Sequence, residues 1–276
     1  MIVAFKGDWP AFAGIDWEKH IFHQQVTDRF HSKQGRTIGR RLYFYNDNVL
    51  SVFLKRYYTF PWYIRLLAFL FPHKIWSPGL HEWNRLQWAL QNGWKVPRPV
   101  AAGQWVGPGL RLRSFLAVEE LQDMVPLHEA IPQAMQYHSP SSYSEWKRRL
   151  LIELVNVIAA LHQKRIFHKD LYLCHLYIKL DDIYNPIPEF EGNIYLIDLH
   201  RLRRHRLLYF YWLVKDLSQL LFSLYIDGIN NEDRQFIFRL YYWKLNISKL
   251  ALLFLKVLIK FKIYFYRRHA KRAGAK

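Results

Sequence analysis

The sequence predicts an α+β chain of two lobes: a small β-rich lobe over residues 1–118, a mainly helical lobe over 119–246, and a basic amphipathic tail over 247–276. Three observations carry that expectation. Two β-rich runs, 41–45 and 49–55, are joined by Asn46-Asp47-Asn48, a strong hairpin turn. Over residues 144–164, Leu150, Leu154, Val157, Ile158 and Leu161 recur on one face at the helical period. That helix then runs into a sharp polar turn, His168-Lys169-Asp170, followed by short strands.

Composition bounds the partners. The 276 residues suffice for one large core or two modest ones. There are 40 Lys and Arg against 22 Asp and Glu, a net charge of +18, with a pI near 9.9. Such an excess implies an anionic partner: nucleic acid, an acidic lipid surface or a phosphorylated glycolipid. No nucleic-acid-binding motif is present, so nucleic acid is not expected. A single cysteine, Cys174, excludes an internal disulfide and suits a reducing compartment. Residues 1–10 lack the cationic start and apolar run of a secretion signal, and no uncharged apolar stretch reaches spanning length.

Taken in order, residues 1–32 are aromatic and mixed and support no assignment. Gly35 and Gly39 lie in a stretch, 34–40, whose backbone amides could cradle phosphate with added charge from Arg36 or Arg40; an ordinary turn fits as well. Lys55 falls near the end of the second hairpin strand. Residues 60–76 are very apolar but short and contain Pro61 and Pro72, so core packing and an interfacial membrane contact stand level. Ser77-Pro78 opens a helix that carries Glu82, Leu86 and Ala89 on one side and stops at Gly93. Two further strands, 96–106 and 112–118, lead into Glu119-Glu120-Leu121. Residues 123–142 read as a polar connection. After the polar turn, strands at 176–180 and 193–198 leave Asp198 where the second runs out. Residues 199–215 are basic, and Asp216 opens a further helix over 217–225. In the tail, Lys249, Lys256, Lys260 and Arg267 share one side of a helix, and Leu250, Leu253, Phe254, Val257, Leu258 and Phe261 cover the other. That pattern suits a membrane surface; packing on the lobe with the lysines in water fits nearly as well, and an acidic protein could use the same face.

Two carboxylates at the ends of a polar turn and a strand are what phosphoryl transfer from ATP requires: one orients the attacking hydroxyl and the other holds the magnesium. Protein kinases place them in H-R-D, with an Asn five residues after the Asp, and in D-F-G. Here the order His168, Asp170, position 175, Asp198 is kept, but position 175 is His and the second motif is Asp198-Leu199-His200. The runs His-Lys-Asp-Leu-Tyr-Leu-Cys-His and Ile-Asp-Leu-His-Arg closely resemble the bacterial lipopolysaccharide core heptose kinases (the WaaP/RfaP family, within the wider InaA-type kinases).

The resemblance implies a protein-kinase-like fold and ATP-dependent phosphorylation of a heptose hydroxyl of the lipid A-linked inner core, by an enzyme peripheral on the cytoplasmic face of the inner membrane. It implies Asp170, His168 and His175 as catalytic residues, Asp198 as the Mg²⁺ ligand, and Lys55 paired with Glu82 as the phosphate grip. Gly35 and Gly39 would cover phosphate, and Glu119 and Leu121 would meet adenine at the hinge. His175 is awkward for Mg²⁺, which prefers oxygen ligands, so a hydrogen bond to phosphate or acceptor is the alternative role. Asp216 resembles the buried aspartate that ties down the catalytic turn of kinases. The span 199–215 contains no Ser or Thr and no A-P-E sequence, which argues against a phosphorylation-switched protein kinase; Arg201, Arg203 and Arg204 suit a multiply anionic acceptor. An inactive kinase-fold scaffold, or a kinase for another anionic sugar or glycolipid such as Kdo, stands as the alternative.

Overall fold

The computed structural model describes residues 1–31 and 35–274; Gln34, in the glycine-bearing stretch, lies outside the described residues. The chain divides into two compact units, Met1–Gln122 and Asp123–Lys276.

The first unit runs β1 (Ile2–Phe5), α1 (Trp9–Ala13), α2 (Trp17–His20), β2 (Thr27–His31), β3 (Arg36–Tyr45), β4 (Asn48–Tyr57), α3 (Trp62–Leu70), α4 (Pro78–Gln91), β5 (Pro99–Gly107) and β6 (Arg111–Glu119). Its strands form one antiparallel sheet in the order β1-β5-β6-β4-β3-β2. Tyr45 pairs with Asn48, so Asn46-Asp47 is a two-residue turn, and Asn46 takes the left-handed conformation that Asn tolerates better than most residues. Of the unassigned residues 1–32, those described prove structural. Trp9, Trp17 and Ile21 are buried, and the Trp17 ring meets Trp9 and Phe115 edge-on at 5.5 and 5.8 Å. Helices this short show no readable period, which is why the pattern was silent.

α4 starts as its sequence dictates. The Ser77 hydroxyl accepts from the Leu80 N–H, Pro78 sits in the first turn, and Gly93 at φ +77° follows the end. A Cβ on Gly79 would come within 2.5 Å of the Phe115 carbonyl, so glycine lets the helix ride close on β6. The apolar stretch 60–76 divides between its two readings. Ala68 is fully buried with Phe60 and Leu112, whereas Trp62 stands 68% exposed on the outer face of α3.

The second unit runs β7 (Met124–Pro126), α5 (Leu127–Tyr137), α6 (Pro140–Gln163), β8 (Ile166–Phe167), β9 (Leu176–Lys179), α7 (Leu180–Tyr184), β10 (Tyr195–Leu196), β11 (Arg203–Arg204), α8 (Tyr209–Ser223), α9 (Asn231–Leu245) and α10 (Lys249–Gly274). Two small antiparallel sheets, β10-β9-β7 and β11-β8, frame the polar turn.

Three expectations need correction. The connection 123–142 contains a helix: Leu127, Ala130, Ile131 and Ala134 of α5 are buried at helical spacing, and that burial outweighs the helix bond lost at Pro132. Asp216 does not lead its helix but sits in the middle of α8, fully buried. The tail predicted at 247–276 is not a separate unit where it is described, but forms the helix α10. α10 packs on α8, burying Leu255 and Ile259, and so belongs to the second unit. Its stripe Leu250, Leu253, Phe254, Val257 and Phe261 remains exposed. Among the described residues no helix is long and apolar enough to cross a membrane.

Candidate active site

In the first unit, β4 delivers Lys55 and α4 delivers Glu82. The Lys55 ammonium lies 2.7 Å from Glu82 Oε1, and the Glu82 side chain is only 1% exposed. A carboxylate so far from water requires its cation, and here an ammonium is held at one fixed point. The two glycines upstream are explained by packing. Gly35 has φ +70°, and a Cβ there would run into the Thr59 side chain. A Cβ on Gly39 would lie 2.5 Å from Val26 Cγ2 and 2.9 Å from the Thr27 carbonyl. Arg40 is committed inside the sheet, 2.8 Å from Glu120 and 3.3 Å from the Ser51 hydroxyl, and Arg36 lies over the Tyr57 ring. Glu119 ends β6 with its N–H on the Arg98 carbonyl and its carboxylate 3.3 Å from the Arg98 guanidinium. Among the described residues no hydrogen bond engages the Leu121 N–H.

The second unit holds the other residues, and α8 organises them. Asp216, wholly buried, accepts from the His168 and Lys169 backbone N–H groups, each at 2.8 Å, and lies 3.3 Å from His162 Nε2. Lys169 is left-handed at φ +69°, a conformation costly to a Lys, and is clamped from both sides. Asp216 takes its N–H, and Lys215 Nζ donates to its carbonyl at 2.6 Å. The Lys169 ammonium sits 4.2 Å above the Trp212 ring. One turn on, the Gln219 amide accepts from the Leu171 N–H and donates to the Tyr172 hydroxyl at 3.1 Å and to Asp170 Oδ1 at 3.4 Å. The Ser223 hydroxyl accepts from the Leu173 N–H. Trp212, Asp216, Gln219 and Ser223 thus share one face of α8 and template the backbone of the turn.

Two hydrogen bonds tie that turn to the strand ending at Asp198. His168 Nε2 donates to the Ile197 carbonyl at 2.9 Å, and the Ile197 N–H donates to the His175 carbonyl at 3.0 Å. Burial pushes the His168 pKa down, so its ring is neutral, with the proton on Nε2. Asp198 follows β10 in the left-handed conformation, φ +58°, and its Oδ1 accepts from His200 Nδ1 at 2.7 Å. His175 Nδ1 donates to the Asp170 carbonyl at 2.7 Å. Burial pulls the His175 pKa down, but the Cys174 side chain, the Asp170 carbonyl and the Asp198 charge outweigh it and raise it to about 9. At neutral pH that value favours the protonated ring, which donates hydrogen bonds.

The arginines separate. Arg201 Nη1 straddles the Asp170 carboxylate at 3.1 and 3.0 Å. Arg203 and Arg204 instead form β11, pairing with Phe167 and Ile166, and point into solvent. The sequence reading missed Lys215, Gln219 and Ser223. Their signal was a polar stripe recurring by threes and fours inside an otherwise apolar helix.

Comparison with known proteins places the chain in a family. Residues 22–241 match the sequence model of the lipopolysaccharide kinase (Kdo/WaaP) family. Among curated relatives, the lipopolysaccharide core heptose(I) kinase WaaP of Pseudomonas aeruginosa (strain PAO1) is 27% identical over 161 residues, 58% of each chain. The enzyme of the same name from Escherichia coli is 27% identical over 154 residues, 55% of each chain. The matches thus span little more than half the length of these relatives. A solved structure described as WaaP in complex with acyl carrier protein superposes with a TM-score of 0.67 at 22% identity, covering 96% of this chain and 100% of that one, which establishes the α+β, kinase-like fold. On the family match across most of its length, the chain belongs to the lipopolysaccharide kinase (Kdo/WaaP) family.

Proposed function

We propose that this chain transfers the γ-phosphoryl group of ATP to a heptose hydroxyl of the lipopolysaccharide inner core, with Mg²⁺ as cofactor. The observation that carries the proposal is the double tether of His168: its N–H is held by Asp216 and its ring by Ile197. The turn bearing Asp170 and the strand end bearing Asp198 are thereby one rigid piece, as a two-carboxylate phosphoryl transfer requires.

The residues present fit magnesium. Among the described residues no group of three or more His, Cys, Asp and Glu could hold a metal ion alone. Magnesium bound to a nucleotide needs only one or two carboxylates, the rest of its shell being phosphate and water, and Asp198 supplies one. Bound there, it would neutralise charge on the β- and γ-phosphates. Lys55, held by Glu82, grips phosphate. Asp170 accepts a hydrogen bond from the acceptor hydroxyl and takes its proton as the new oxygen–phosphorus bond forms and the bond to the ADP oxygen breaks. Arg201 pairs Asp170 until the acceptor arrives, then offers its guanidinium to the incoming phosphate. His175, an imidazolium, donates from Nε2 toward phosphate.

The acceptor is a membrane-held glycolipid in this reading, and the chain works peripherally at the cytoplasmic face of the inner membrane. The exposed apolar stripe of α10, flanked by Lys249, Lys256, Lys260 and Arg267, supports that placement. The solved relative bound to acyl carrier protein supports a protein partner as well, and the basic edge of α10 suits an acidic one.

Mass spectrometry of lipopolysaccharide core made with and without the chain tests the function. The core should gain one phosphate on a heptose with the chain and lose it in an Asp170→Asn strain. A core unchanged by removal of the chain overturns the proposal.

A further inference from the structure

The segment that follows Asp198 carries more than the acceptor reading uses. Beyond Arg201, the residues Arg203, Arg204 and Arg206 are exposed, and none is paired with a carboxylate among the described residues. Directly behind them the chain turns, with Leu207 99% and Leu208 57% exposed, and Tyr211 54% exposed in the first turn of α8. Scattered single apolar residues on a surface need no explanation, but contiguous leucines next to a cluster of unpaired arginines form an amphipathic tip.

The tip is stiffly attached to the catalytic turn. Arg203 and Arg204 pair as β11 with Phe167 and Ile166, the two residues that lead into His168. The His205 N–H donates to the Arg165 carbonyl at 2.9 Å, and its ring stacks on Trp212 at 4.8 Å. The tip is thereby joined to the strand that leads into the turn bearing Asp170.

We propose that the turn 203–211 is a membrane-seating element: its arginines bind the phosphates of an anionic bilayer while Leu207 and Leu208 enter the acyl boundary. This rests on the glycolipid reading and names the surface at which the acceptor is met. Charge and shape together favour a bilayer over an acidic protein. Leu207 lies three residue steps beyond Arg204, at most about 10 Å of chain, comparable to the depth between headgroup phosphate and acyl boundary. An acidic protein would satisfy the arginines and leave the fully exposed leucine in water.

The test is co-sedimentation of the full chain with vesicles of phosphatidylcholine alone and of phosphatidylcholine with phosphatidylglycerol. Wild-type chain should bind only the anionic vesicles, with affinity falling as salt rises. Leu207→Asp/Leu208→Asp should weaken binding at least tenfold. Replacing Arg203, Arg204 and Arg206 by Gln should weaken it on the order of a hundredfold, each basic residue near the surface contributing about a fivefold gain. Both leucines are exposed, so the first variant should keep the wild-type melting temperature and its upward shift with Mg-ATP. Binding undiminished in the leucine variant overturns the proposal, as does binding lost only when α10 carries Phe254→Asp/Phe261→Asp, or binding of wild type to neither vesicle. Vesicle binding with no phosphate transferred to core would count against the proposed activity and not against this element.

Discussion

Replacing Asp216 by Asn isolates the contact on which the site depends. The carboxylate is buried and accepts two backbone hydrogen bonds of 2.8 Å, from His168 and Lys169. Asn keeps the shape but turns an NH₂ toward one of those N–H groups. One charge-assisted bond, about 1.5–3 kcal/mol, is lost, and the other falls to the neutral value of about 0.5–1.5 kcal/mol. Leaving a buried donor unsatisfied adds about 1–3 kcal/mol. The sum, about 5 kcal/mol, is a large part of the roughly 5–15 kcal/mol that holds a protein folded. At roughly 2–4 °C per kcal/mol, the melting temperature should fall by about 10–20 °C. Phosphoryl transfer, followed by ADP release at a temperature where the variant is folded, should drop about a hundredfold in kcat with little change in KM for ATP, because Lys169 at φ +69° relaxes and Asp170 moves with it. A variant melting within a few degrees of wild type with unchanged kcat would show that Asp216 does not hold the turn.

Asp170→Ala and Asp198→Ala should each cut phosphoryl transfer about a thousandfold while the chain stays folded, since both side chains are partly exposed at 19% and 23%; near-wild-type rates in both would end the kinase reading. Lys55→Met should destabilise the first unit by about 3–5 kcal/mol, because the 1% exposed Glu82 loses its cation; adding Glu82→Met should restore stability but not ATP binding, as denaturant titration and Mg-ATP thermal shift would show. His175 should titrate near pH 9 in ¹⁵N-resolved NMR and move lower in Cys174→Ala. Its folded pKa is raised, so the stability it contributes is full below the ordinary histidine value, about 6.5, and is lost as pH rises through 9. A midpoint below 6 would refute the hydrogen-bond arrangement around it.

The sequence by itself determined the hairpin of β3 and β4, the start and stop of α4, the long α6, and the order in which Lys55, Glu82, His168, Asp170 and Asp198 follow one another. These are local facts: turn residues, caps and a helical period act within a few positions and can be read there. Asp216 was singled out as well, but its place inside α8 was not legible, because aromatic Tyr209 and Trp212 follow a basic run that hides the helix start. The tertiary structure alone decided what the local code does not carry. It set Arg201 on Asp170 and aligned Trp212, Asp216, Gln219 and Ser223 beneath a turn some fifty residues earlier in the chain, as the His168–Asp216 and Leu173–Ser223 bonds show. It also divided residues 60–76 and 249–269 into buried and exposed faces. The physical reason is that a side chain's partner is chosen by packing between elements far apart in sequence, and an amphipathic pattern states that a face exists without stating what covers it.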